Sequence, residues 1–224
     1  MNCARTFAAF AAIGFVVSGN GASAQDLSRY RTYALESSLE SVIAASGART
    51  ADRRTVHERP ARIEQLEWRA PDAGSSGRAD PVRQITFTFY DDALYEIVVS
   101  YDRNGTDGLT NEDVIESLSA VYGIPVLGSS RAPAERRPPV AFRTIAVARW
   151  ENATSALTLL RQTDSSDFRL IVTSKPLSAL ARNAVREAVR LDALDAPRLA
   201  EEQRAAAGAA RDRLRSTNRA AFHP

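Results

Sequence analysis

The chain has 224 residues, 44% of them hydrophobic and 25% charged, with 29 Lys+Arg against 27 Asp+Glu. That balance excludes wholesale disorder and a fibrous repeat, and a net charge of +2 supplies no broad field for nucleic acid. No apolar run approaches the ~20 residues of a membrane-spanning helix, so no transmembrane span is expected.

The first element in chain order is a targeting segment. Arg5 is the one charged side chain of residues 1–6, residues 7–17 (FAAFAAIGFVV) are uninterruptedly apolar, and Ala22-Ser23-Ala24 closes a small-residue zone. A basic, an apolar and a small-residue zone in that order predict a secretory signal peptide, cleaved between Ala24 and Gln25. Gln25 stands where a lipid anchor would need cysteine, and the sole cysteine, Cys3, leaves with the signal. The expected product, residues 25–224, is periplasmic or secreted and has no disulfide. Lys175 is its one lysine, and the other basic residues are arginine.

Residues 35–47 place Leu35, Leu39, Val42 and Ile43 at helical spacing, and Gly47 is a natural stop. Residues 48–60 read as an Arg-rich polar loop, 63–68 as a short strand and 71–81 as a second loop. The strongest strand signal follows. Ile85, Phe87 and Phe89 alternate with Thr86, Thr88 and Tyr90, and beyond an Asp91-Asp92-Ala93 turn Tyr95, Ile97, Val99 and Tyr101 alternate with Glu96, Val98 and Ser100. Such alternation on both sides of a tight polar turn predicts a β-hairpin. Residues 102–108 read as loop, and 109–123 as a helix capped by Thr110 and Asp113 and closed by Gly123. After a Pro/Arg stretch come strands at 144–150, 156–161 and 168–173, whose short connections require an antiparallel meander. Residues 177–194 then form a helix, Pro197 interrupts, and the Ala-rich residues 201–215 form a second helix with a thin core-facing stripe and frayed last residues.

The fold class expected is therefore α+β: two helix-plus-three-stranded antiparallel units followed by C-terminal helices. The expected divisions are 1–24 (signal peptide), 25–125 (first unit with the start of the second helix), 126–176 (second meander) and 177–224 (helices that protrude or pack loosely). Gly47 and Gly123 each end a leading helix, and Trp68 and Trp150 each close a first strand. On element order and those residues, positions 35–173 resemble the tandem modules of the β-lactamase inhibitor protein family and of small outer-membrane assembly lipoproteins. The lipobox of the lipoproteins and the disulfides of the inhibitors are absent from this sequence, and no functional residue is carried over. More broadly the chain resembles exported proteins of proteobacteria.

Catalytic motifs are scarce. His57 and His223 are the two histidines, one in a charged loop and one at the chain end, and neither context suits a Ser-His-Asp catalyst or a zinc site. Neither a phosphate-binding glycine loop nor a GxSxG elbow occurs, and no cofactor is expected. Asp102, Asn104, Thr106, Leu109 and Asp113 match calcium-loop offsets, but Asp107 occupies the glycine position and Asp113 is one methylene short of the bidentate glutamate. A capped turn between strand and helix accounts for the same residues. Asp91-Asp92 reads as a hydrated hairpin tip, and Trp68, Trp150, Tyr90, Tyr95 and Tyr101 read as core or cross-strand residues before a ligand-binding face. Two basic clusters remain: Arg131, Arg136 and Arg137, and Arg211, Arg213, Arg215 and Arg219. The second is the candidate binding site, with an envelope protein or an anionic envelope component as partner. The function expected is a non-catalytic periplasmic binding module. The alternative is a hydrolase working through two facing carboxylates in a cleft.

Overall fold

The alternation between Ile85 and Tyr101 forms the middle of the molecule. In the computed structural model, which describes residues 26–70, 80–126, 144–162 and 167–222, β5 (Val82–Tyr90) and β6 (Ala93–Tyr101) pair antiparallel with Phe87 opposite Ile97. Both side chains are fully buried. The hairpin turns on Asp91 and Asp92, with φ of 44° and 72°. Two positive φ values match the right-handed strand twist, and aspartate tolerates them because its short polar chain bonds locally. Asp91 Oδ1 accepts the Arg62 amide at 2.8 Å, and Asp92 Oδ1 accepts the Leu39 amide at 3.1 Å. The tip is thus exposed, as expected, and also tied to two neighbouring segments.

Preceding the hairpin are β1 (Arg29–Tyr30), β2 (Tyr33–Ala34), α1 (Leu39–Ser46), β3 (Arg53–His57) and β4 (Ile63–Arg69). Helix α1 starts four residues later than its periodicity suggests, because Ser38 caps it by accepting the Ser41 amide, and it ends on Gly47 at φ 66°. Residues 48–60 correct the loop expectation: they hold a 3-10 turn at Thr50–Asp52 and the edge strand β3. Four of the five residues of β3 are exposed, so no buried face imprinted an alternation on them. Charge along such an edge also discourages pairing with other chains.

After the hairpin come α2 (Arg103–Thr106), one helical turn in the expected loop, and α3 (Asn111–Tyr122), where Thr110 and Asp113 form the expected capping box. The strands β7 (Thr144–Glu151), β8 (Ser155–Gln162) and β9 (Phe168–Ser174) form the expected meander. The protein is α+β. Its first meander has four strands where three were expected, and β9 pairs with β6, so all seven form one antiparallel sheet in the order β3-β4-β5-β6-β9-β8-β7.

One face of that sheet carries Leu66, Ile85, Phe87, Ile97, Val99, Leu157, Leu159, Leu170, Val172 and Trp150, covered by Leu39 and Val42 of α1, Tyr122 of α3 and the β1–β2 segment. Strands from both meanders contribute to this single cluster. Across β5, β6 and β9 the other face is covered by the first half of α4 (Lys175–Ala221). Ala181, Ala184 and Ala188 are its buried residues, and small side chains let the helix axis approach the strands closely.

Helix α4 corrects the expectation of two C-terminal helices. It is continuous over 47 residues, with Pro197 inside it. Proline removes one backbone hydrogen bond, yet its φ near −65° is helical and alanine-rich flanks favour helix on both sides. Helix also persists through Ala221, where fraying was expected. Lys175 fastens its start, donating to the Asn152 carbonyl at 2.6 Å and pairing with Glu151 at 3.0 Å. Arg59, in the β3–β4 turn, pairs with Asp195. Past Asp195 almost every side chain is exposed, and the free portion extends about 39 Å at 1.5 Å per residue.

Candidate functional site

Arg211, Arg213, Arg215 and Arg219 all lie on the projecting half of α4 and are exposed. At about 100° per residue, Arg211, Arg215 and Arg219 share one face with Arg204, within an arc of about 80°. Arg213 falls on nearly the opposite side. The structure therefore divides the sequence-derived cluster and adds Arg204, two helical turns before Arg211, which helical periodicity could have found. None of the five pairs with a carboxylate among the described residues. Residues 204–222 carry five arginines against one acidic residue, Asp212. The shared face points away from the stripe of Ala181, Ala184 and Ala188 that anchors the helix. This makes a projecting, cationic helix. Arg131, Arg136, Arg137, His223 and residues 1–24, with Cys3 among them, lie outside the described residues.

The remaining titratable groups are mostly engaged in structure. His57 closes β3 opposite Ile63, and no cluster of three metal-ligating side chains occurs among the described residues. In the calcium-like segment, Asp113 Oδ2 accepts the Thr110 amide and hydroxyl, both at 2.8 Å. That carboxylate is committed to the helix cap, and those hydrogen bonds hold it below the usual aspartate range.

Two carboxylates do share a cleft of about 590 Å³ beside half-buried Trp68, namely Asp52 and Glu67. Each is salted by an arginine, Arg49 and Arg69 respectively. Hydrogen bonds from Arg49 hold Asp52 below its ordinary value, the reverse of what a general acid needs. The fully buried Glu64 was not foreseen. Its Oε1 accepts Arg53 Nε at 2.8 Å and its Oε2 lies 3.3 Å from Arg62 Nε. Two arginines thus compensate a buried charge and bind the edge strand to β4.

The aromatic residues settle mainly into the interior. Trp150 is buried and its Nε1 donates to the Gly123 carbonyl at 2.7 Å, which joins β7 to the end of α3. Tyr30, Tyr101 and Tyr122 meet where β1, β6 and α3 converge. Burial pushes all three phenols up, Tyr122 to about 12, so they stay neutral. Tyr122 donates to the Arg29 carbonyl at 3.2 Å, and Arg31 stacks 5.3 Å above the Tyr30 ring while holding Asp80. This cluster clamps the N-terminal segment to the core. On the opposite sheet face, burial alone raises the carboxyl of Glu96, which lies between Thr88 and Thr173 in the ladder.

Comparison with protein-family models, curated proteins and solved structures gives no match to this chain. The arginine face of α4 is the largest group of exposed, uncompensated charge described above, and it rests on geometry alone.

Proposed function

We propose that this protein is an exported, non-catalytic binding module that presents the distal half of α4 to an anionic component of the cell envelope. Export rests on the charge and apolarity order of residues 1–24. The observation that carries the binding reading is the alignment of Arg204, Arg211, Arg215 and Arg219 on one exposed face of a helix held at its base. A rod fixed by Lys175 and Asp195 loses little freedom on docking, so charge attraction is not offset by ordering of the scaffold. Phosphate-rich headgroups suit arginine because its planar fork donates two parallel hydrogen bonds. The sheet is then the base that holds the rod. We read it as two helix-led antiparallel units, α1 before the first meander and α3 before the second, joined along β6 and β9. So arranged, the two units resemble tandem helix-and-sheet modules.

Co-sedimentation with vesicles tests the binding reading. Vesicles of phosphatidylglycerol and phosphatidylethanolamine should retain the protein at low salt and release it as salt rises. Replacing Arg204, Arg211, Arg215 and Arg219 together by glutamine should abolish retention without altering the melting temperature. Equal retention by the variant, or no retention by the parent, overturns the proposal.

A further inference from the structure

A second site stands apart from α4, at the end of the sheet where α2 and α3 begin. A cavity of about 180 Å³ opens there, walled by Pro81, Tyr101, Leu109, Val114, Leu118 and Phe168. The apolar character follows from the sequence: Val114 and Leu118 occupy successive turns of the inner face of α3, and Leu109 precedes its cap. Gly105 of α2 permits the closure. A Cβ there would lie 3.0 Å from both Cα and Cβ of Pro81, so only glycine lets the turn settle against that residue.

The cavity adjoins a polar cleft of about 290 Å³, with Thr106 and Leu109 common to both. The cleft is lined by Arg103, Arg161 and Asp107. Arg161 is held in place: its Nη1 donates to Asn111 Oδ1 at 2.8 Å, and its guanidinium stacks 5.1 Å above the ring of Phe168, which also walls the cavity. Neither Arg103 nor Arg161 pairs with a carboxylate among the described residues. Two cations against the single exposed Asp107 leave the cleft positive, and Tyr101, neutral through burial, adds no charge.

We propose that this paired compartment binds a small amphiphilic carboxylate. The apolar body fills the 180 Å³ cavity, and the carboxylate meets Arg103 and Arg161. The two demands are independent, since burial of a tail rewards any apolar ligand and the guanidiniums reward only an anion. No bond is made or broken.

Isothermal titration of the full chain with octanoate, and with octanol as the uncharged counterpart, tests both demands. Octanoate should bind saturably with one site per chain, about tenfold or more tighter than octanol. Arg161→Gln combined with Arg103→Gln should lower octanoate affinity to the octanol level and leave octanol unchanged. Leu109→Asp, at a residue 41% exposed, should weaken both ligands. Because Arg161 packs on Phe168, thermal melts accompany each variant, and Arg103→Gln alone decides the matter if the double variant unfolds. Absence of saturable octanoate binding, equal affinity for octanol, or indifference of binding to Leu109→Asp overturns the proposal.

Discussion

The two halves of α4 are the same helix under different rules. From Lys175 to Asp195 it is pinned at both ends and buries Ala181, Ala184 and Ala188 on the sheet. Beyond Asp195 its cross-helix support is local, as in the Arg198–Glu202 pair at 2.8 Å, and its side chains face water. Alanine serves both halves for different reasons. In the docked half its small size permits close approach, whereas in the free half its high helix propensity is what remains when packing is absent. The same residue type is therefore a packing element in one place and a backbone element in the other.

That contrast can be broken most severely at the sheet itself. Phe87→Ala removes a fully buried ring beneath the core helices and should destabilise by roughly 3–5 kcal/mol in urea melts. A loss below about 1 kcal/mol would mean that the central pairing with Ile97 does not govern stability. A smaller effect separates the halves directly. Ala184→Leu overfills the docked interface and should destabilise by about 1–3 kcal/mol. Ala209→Leu, on the free half, should stay within about 0.5 kcal/mol of the parent. Similar values for the two would erase the distinction.

Glu96 makes the docked face sensitive to pH. Burial raises its folded carboxyl above the ordinary value of 4.5. Its contribution is therefore fully favourable below that ordinary value and is lost as pH rises through the raised folded value, where the charge must form against the sheet. Between about pH 4 and pH 7, stability of the parent should fall relative to Glu96→Gln. The difference between the two isolates this group, because carboxylates such as Asp80, held low by Arg31, act in the opposite sense in both proteins. Parallel pH profiles would place Glu96 in water. Truncation after Ala196 should have the least effect, leaving the melting temperature nearly unchanged while abolishing retention on anionic vesicles. Loss of folding with that truncation would assign the free half to the core.

Local patterns were legible where a single buried face shaped them. The hairpin, the three strands of the second meander, and the caps at Gly47 and Thr110 could be read because each signal lies within a few neighbouring residues. Strand β3 could not be, since an exposed edge imposes no alternation on Arg53, Arg54 and Thr55. The continuity of α4 was hidden by Pro197, whose penalty is local while helix-forming flanks extend over many residues. The β6–β9 pairing, and the joining of two meanders into one sheet, depend on contacts far apart in sequence. The candidate surfaces divide in the same way. The arginines of the distal helix were visible as composition, and helical phase then excluded Arg213 and admitted Arg204. Arg103 and Arg161 reach one cleft from separate segments, and no short motif marks them.

The β6–β9 junction also sets an order of events for the nascent chain. Val99 pairs with Leu170, so the first meander has one open flank until ~70 further residues have been made, and such distant closures slow folding. During that interval Ile97 and Val99 lack their neighbouring strand. The unclosed edge of β6 is then a sheet template, and commitment to the native topology comes only as β9 arrives.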